Sequence, residues 1–529
     1  VDPTGVVQLT VDDRQVEVPD LGGSLLDALR DQLLLRSPKD GCSPQGQCGC
    51  CTVLVDGAPR VACVTPLRRV AGRSVTTLDG LPELLRAHWS EAFCATGASQ
   101  CGFCTPGIIV RLEGLRAKGT AADDRTAVER ALQAHLCRCT GWQTIGEAYA
   151  RAVAPEPGAD RPDRPMPVRD LEAAGRRAGL EGRTPQRVGP DVALGRGGFA
   201  ADTAPADALT AVPDGQGGWA LGETLADARR AAGKIQGRRT TAGMLPPLAL
   251  PEGEWDLTLR TSWVEPAYLE PDASWCEPGG EPVSPLANGG AFGGKSSSPA
   301  PAAARELADA HGRAVLVLLS REDCVRLGPK RPPIAAGVRA DGTGVVRVVR
   351  TEGIAEAIRS VAPGLVVEEI DVVGPPTSAA LRSAGWAEAT VLLAGLAPAD
   401  APSVAVGPEG GRAEAWIGPE GSIDVRVACG LPLDEVVLRS YAIGAAHMAL
   451  GWVTSEGLAV DDAGEVHDLT IRSFGVPRSV DMPRVSVTID PDASEPVNGS
   501  DAVFAAVAAA VWRLQGRPTD WPTGIALRS

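Results

Sequence analysis

GCSPQGQCGCCTVLVDG (41–57) decides how this chain is read. It places Cys42, Cys48 and Cys51 on one glycine-rich turn, with Cys63 following a little further on. The spacing is Cys-x5-Cys-x2-Cys-x11-Cys. Gly41, Gly46 and Gly49 let the backbone curl so that amide N–H groups can face sulfurs. A second set, Cys101, Cys104, Cys137 and Cys139, lies in QCGFCTPG (100–107) and LCRCTGW (136–142). Eight of the thirteen cysteines thus fall into two sets of four soft ligands, which point to two metal centres and to electron handling. Disulfides would suit a short secreted chain, and this one has 529 residues and a start, VDPTGVVQLTVDD, without a basic, apolar leader.

The surroundings of each set name the metal. Residues 5–19 carry two β-prone runs about a turn at Asp12-Asp13, and 24–34 have helical apolar spacing with Ser24 as N-cap. A hairpin, a helix and a cysteine loop describe a plant-type ferredoxin fold over 1–78, holding an iron–sulfur cluster by four thiolates. The usual loop opens with a gap of four residues, so one is extra here, and Pro44 is placed to absorb it. Cys50 reads as a small filler, because Cys48 and Cys51 keep the two-residue gap. Zinc knuckles come as two Cys-x2-Cys pairs, and the first set has one. Residues 79–153 read as helical, over 81–92, 106–117, 124–136 and 142–153, with Pro106 at a helix start. One cysteine pair begins a helix and the other ends one, so that a cluster would sit between antiparallel helices.

These motifs, in this order, resemble the iron–sulfur subunit of the xanthine dehydrogenase/aldehyde oxidase family, the molybdenum hydroxylases, over residues 1–153. The resemblance implies two [2Fe–2S] clusters, with Cys42, Cys48, Cys51 and Cys63 on one and Cys101, Cys104, Cys137 and Cys139 on the other. It also implies a molybdopterin beside the second cluster, contacted by Gln100 and Cys139. His135 stands where the family has Asn, and is read as packing.

Residues 154–190 read as a Pro-, Arg- and Asp-rich linker with room for one short helix, and 191–529 as an α/β region. The fold class expected is therefore α+β and multidomain: β-grasp ferredoxin, four-helix [2Fe–2S] domain, then an abridged molybdopterin-binding-like region. Within it SWVEPAYLEPDASW (262–275) resembles the family stretch bearing a substrate-facing Glu, here Glu265. NGGAFGGK (288–295) is similar to the loop under the molybdenum, which gives Gly289, Gly290, Ala291, Phe292, Gly293 and Gly294 as cofactor-binding. GPPTSAALRSAGWAEAT (374–390) implies Arg382 as the substrate-orienting Arg, and SEPVNGSDAVFAAVAAAV (494–511) implies Glu495 as general base. The region is about half the family's length, and the Gln-Gly motif expected near 427–437 is not visible.

Bland alternatives stand beside these roles. Arg382 reads equally as a solvated loop charge, and Glu495 as a carboxylate favoured near a helix N-terminus. GGAFGGKS (289–296) matches a P-loop pattern, but neither a preceding strand nor a directly following helix is indicated. Aromatics are sparse, so cores should rest on Leu, Val and Ala. The net charge of −15 without a basic run excludes a nucleic-acid footprint, and no apolar run near 18 residues indicates a membrane span.

The function expected is oxidation of a heteroaromatic (purine-like) or aldehyde substrate with electrons leaving through the clusters. The alternative is an electron-transfer subunit that docks a complementary molybdenum subunit. No flavin segment is evident, so FAD on a partner or another acceptor is expected, in an oligomeric cytoplasmic assembly.

Overall fold

The computed structural model describes residues 5–154, 169–233, 243–283, 290–398, 400–467 and 469–527. Val6–Val11 and Arg14–Pro19 form an antiparallel hairpin. Its turn residues Asp12 and Asp13 both take positive φ (48° and 63°), the geometry that matches the twist of a two-residue hairpin. The sheet runs Arg14–Pro19, Val6–Val11, Ser74–Thr76, Thr52–Val55, Ala58–Val61, with Val6–Val11 parallel to Ser74–Thr76. Ser24 caps the crossing helix in a reciprocal capping box with Asp27. That helix is shorter than its sequence pattern predicts. Leu25–Asp27 is a single α turn, continued by a wider turn over Ala28–Gln32.

The four helices that follow are Glu83–Thr96, Thr105–Arg116, Arg125–Leu132 and Gln143–Val153. The third stops four residues before the expected 136. The Leu136 amide instead donates to Cys48 O at 3.0 Å, so the chain leaves the helix to bond to the first cysteine loop. Cys137 and Cys139 therefore sit in the connection leading into Gln143–Val153 rather than at the end of a helix. The two cysteine loops are also locked at Gly107, where a Cβ would lie 2.3 Å from Gly49 O and 2.8 Å from Cys50 O.

Among the described residues the remainder carries three sheets, of four, five and four strands. Two helices rich in small residues, Glu435–Thr454 and Ser500–Leu514, pack along each other at its centre. Ala and Gly let such helices approach closely, and the few aromatics fill what is left. Trp452 stacks on Phe504 at 5.1 Å and meets Trp521 edge-on at 4.8 Å. Cores here thus rest on tryptophan as well as on Leu, Val and Ala. Glu435–Thr454 is the one described helix long and apolar enough to cross a membrane, and its most apolar stretch is 89% buried inside the protein.

The stretch read as a linker contains a docked helix, Leu171–Gly182. Its Arg177 and Glu181 are fully buried and 3.0 Å apart. Arg177 donates to the carbonyls of Leu431, Pro432 and Val497. Glu181 accepts from the amides of Gly499 and Ser500, the latter at 2.8 Å. A carboxylate at that helix N-terminus satisfies amides that lack intrahelical partners and complements the dipole. Glu181, not Glu495, holds this place.

Candidate metal centres and the adjoining site

The first cysteine set converges. Cys42 contacts Cys48 and Cys63, and Cys63 also contacts Cys51. The loop amides do what the glycines suggested: Gln45 N and Gln47 N point at Cys42 Sγ (3.2 and 3.4 Å), and Cys63 N points at Cys51 Sγ (3.4 Å). Bonds from Cys48 and Cys63 draw the Cys42 thiol far below its ordinary value, against burial. In the second set Cys101 and Cys139 sulfurs are 3.8 Å apart, and Cys104 contacts Cys137. Contact with Cys104, opposed by burial and aided by Thr140, brings the Cys137 thiol down to about 6. Such contacts push the partner thiols Cys48, Cys63, Cys104 and Cys139 up; the thiolate is the form that binds metal.

In the second set the sulfurs pair, Cys101 with Cys139 and Cys104 with Cys137. Two thiolates for each of two irons is the arrangement a [2Fe–2S] cluster takes. Cys50 is fully buried; a Cβ on Gly41 would be 3.1 Å from both Cys50 Sγ and Cys48 Sγ. His135 packs its ring on Gly49 and brings Nε2 within 3.1 Å of Thr52 Oγ1. Burial, then Arg111 and Arg472, push its pKa down to about 3.

Beyond the second cluster most of the expected site residues are neighbours. Gln100 Nε2 donates to Cys139 O and Ser440 Oγ, both at 3.0 Å, and its Oε1 is buried without a partner. The glycine loop follows: a Cβ on Gly290 would lie 3.0 Å from Cys139 Sγ, and one on Gly293 would strike Ala380 O. Gly289 lies outside the described residues. Ala291, Glu265 and Arg382 line one cavity of about 30 Å³. Gly294 abuts Pro266 and Tyr268, and Phe292 meets Tyr441 edge-on at 6.2 Å.

The charged groups at this cavity are occupied. Arg382 bonds Asp501 Oδ1 at 3.0 Å and Ser500 Oγ, and lies 4.2 Å over the Phe292 ring. It is therefore not a solvated loop charge. Glu265 pairs with Lys330 at 2.9 Å, both buried. Glu495 is exposed and does not line the cavity. Lys295, the lysine of the P-loop pattern, is buried against Glu270, and the next helix begins only at Ala300.

Some anchors had no sequence signal. Arg138, between two cluster ligands, forms a bidentate pair with Glu456 and donates to Pro266 O at 2.9 Å. This ties the second cluster loop to the chain just past the core helix Glu435–Thr454 and to the segment at Pro266.

Gln100 Oε1, buried and unpartnered while its Nε2 is held by Cys139 O, fits one hydrogen-bond donor of a pterin.

Two paired thiol sets on a β-grasp sheet and a four-helix unit define an iron–sulfur protein. A family described as "[2Fe-2S] binding domain" matches residues 77–150. The iron-sulfur-binding subunit of xanthine dehydrogenase from Escherichia coli is 41% identical over 126 residues, which is 23% of this chain and 78% of that protein. Aldehyde oxidoreductase of Megalodesulfovibrio gigas is 44% identical over 135 residues, 25% of this chain but only 15% of that protein. The solved aldehyde oxidoreductase from Desulfovibrio gigas superposes with a TM-score of 0.70 over 98% of each chain at 15% identity, a likeness of fold. The chain belongs to the xanthine dehydrogenase/aldehyde oxidoreductase family, the molybdenum hydroxylases.

Proposed function

We propose that this chain carries electrons one at a time through two [2Fe–2S] clusters. They come from oxidation of a heteroaromatic or aldehyde substrate at a molybdenum centre and go to a FAD-containing subunit or another external acceptor. The observation that carries the reading is the two-and-two pairing of thiols in the second set. A molybdenum centre supplies hydroxylation of an electron-poor carbon. The 30 Å³ cavity and the exposed Glu495 favour its being held by a complementary subunit. The unpartnered Gln100 Oε1 favours the second reading, in which this chain takes the pterin itself.

The reading divides the chain into a ferredoxin unit (1–78), a helical cluster unit (79–153), a linker (154–190) that contains the helix Leu171–Gly182, and a scaffold (191–529), at work in the cytoplasm. Iron and molybdenum per chain, measured alone and with any co-purifying subunit, test it. About four irons with molybdenum only in the complex is the expected result. Stoichiometric molybdenum in the isolated chain would establish the second reading. Iron near zero would overturn both.

A further inference from the structure

One unexplained feature near the clusters is a cavity of about 140 Å³ at the seam between the ferredoxin unit and the sheet strand Val315–Leu318. Its wall includes Ser43, the neighbour of Cys42, and Phe103, the neighbour of Cys104. It therefore touches the chain beside a ligand of each cluster.

Phe103 and Phe199 stand edge-to-face at 5.1 Å in a wall that also carries charged side chains such as Arg30, Asp31 and Asp202, and the two rings offer a face for a flat ring. Two carboxylate oxygens in the same lining, Asp40 Oδ1 and Glu270 Oε1, are buried without a hydrogen-bond partner. The Glu270 side chain is only 4% exposed, and its other oxygen is held by Lys295. Buried polar atoms left unpaired are costly, so such a pair marks where a ligand's polar groups belong. Arg229, bonded to Asp40 and Ser43, adds a guanidinium to the wall. Size limits the occupant: an engineered apolar cavity of about 150 Å³ binds benzene, and this one is open at the rim beside exposed Leu34 and Ala206, so it takes a single substituted six-membered ring and not a three-ring flavin.

We propose that this cavity binds a single-ring quinone and its hydroquinone, making it the acceptor site for the electrons of the clusters. The inference rests on the electron-carrying reading above. Hydroquinone O–H groups would donate to Asp40 and Glu270. Quinone carbonyls would accept from Arg229 and from Glu270 when protonated. Burial, opposed by Lys295, raises the Glu270 carboxyl to about 7, so it holds a proton for much of the neutral range. The balance is quinone plus two electrons and two protons giving hydroquinone. One proton comes from the Glu270 carboxyl and one from water at the mouth. The two electrons would be supplied by the two [2Fe–2S] clusters that the cysteine sets would hold.

The test uses the full chain and tetramethyl-1,4-benzoquinone, which has no free ring position for thiol addition. Binding is measured by equilibrium dialysis. EPR of the dithionite-reduced protein is recorded separately and again after quinone is added. Saturable binding at one per chain is expected, with loss of the reduced-cluster signals on mixing. Leu34→Trp and Ala206→Trp, both at the exposed rim of the cavity, should each weaken binding at least tenfold while leaving both signals of the dithionite-reduced protein intact. Non-saturating uptake, or unchanged binding in both variants, would overturn the quinone site. Absence of both EPR signals would instead overturn the electron-carrying reading.

Discussion

Arg382 Nε lies 3.0 Å from Asp501 Oδ1 with both side chains buried, and the Arg183 guanidinium lies 2.6 Å from Asp501 Oδ2 as an ion pair. Glu181 approaches the same helix N-terminus from the helix Leu171–Gly182. The arginine that the family resemblance would aim at a substrate is thus part of a closed charge cluster.

Asp501→Asn should therefore be severely destabilising. Removing one partner of a buried pair leaves an uncompensated charge and costs about 3–5 kcal/mol. Urea denaturation followed by tryptophan fluorescence reads it, since Trp452, Trp512 and Trp521 lie in the same core. A change below about 1 kcal/mol would mean that Arg382 is free to face a ligand.

Cys51→Ala should remove the first cluster, and Cys50→Ala should remove neither. Iron is expected to fall from about four to about two per chain in the first variant and to stay near four in the second. Cys104→Ser should likewise abolish one of two EPR signals. Loss of iron in Cys50→Ala would reassign the ligand set.

Glu495→Ala should change stability by no more than about 0.5 kcal/mol, as expected for an exposed side chain away from any special feature. Turnover of an assembled molybdenum complex should also be unchanged. Loss of turnover with molybdenum retained would restore Glu495 as the general base.

His447 should make the protein acid-sensitive. Burial, then Arg138, push its pKa down to about 4, while Pro477 O, 3.0 Å from Nε2, opposes the shift. The unfolded chain titrates near 6.5 and so binds a proton that the folded one refuses between those values. Stability therefore falls as pH drops from about 6.5 to about 4, by up to about 1.4 kcal/mol per unit. Urea midpoints at pH 7 and pH 5 should differ less in His447→Gln, whose amide can still donate to Pro477 O. An equal difference in both proteins would remove His447 as the cause.

The cluster half was legible because its chemistry is local. Ligand spacing, turn glycines and the Thr105-Pro106 helix start all act within a few residues. The same locality explains the overrun of the third helix, whose periodicity continues past Leu132 while its backbone is taken by Cys48 O. In the last region the decisive partners are far apart in sequence: Glu181 with Ser500, Arg138 with Glu456, Glu265 with Lys330. No local pattern announces such pairs. The motifs that suggest Glu265 and Arg382 do not announce their partners Lys330 and Asp501, nor does the motif around Glu495 announce its exposure.

Gly107 has almost no clearance against the carbonyls of Gly49 and Cys50. The two cluster units therefore meet like a key and its lock, with no linker to take up error. A chimera that borrows one unit from a relative would inherit a mismatched seam, whereas 1–153 moved as a block would keep its own. For anyone rewiring electron flow with parts of this chain, the interchangeable module is the pair.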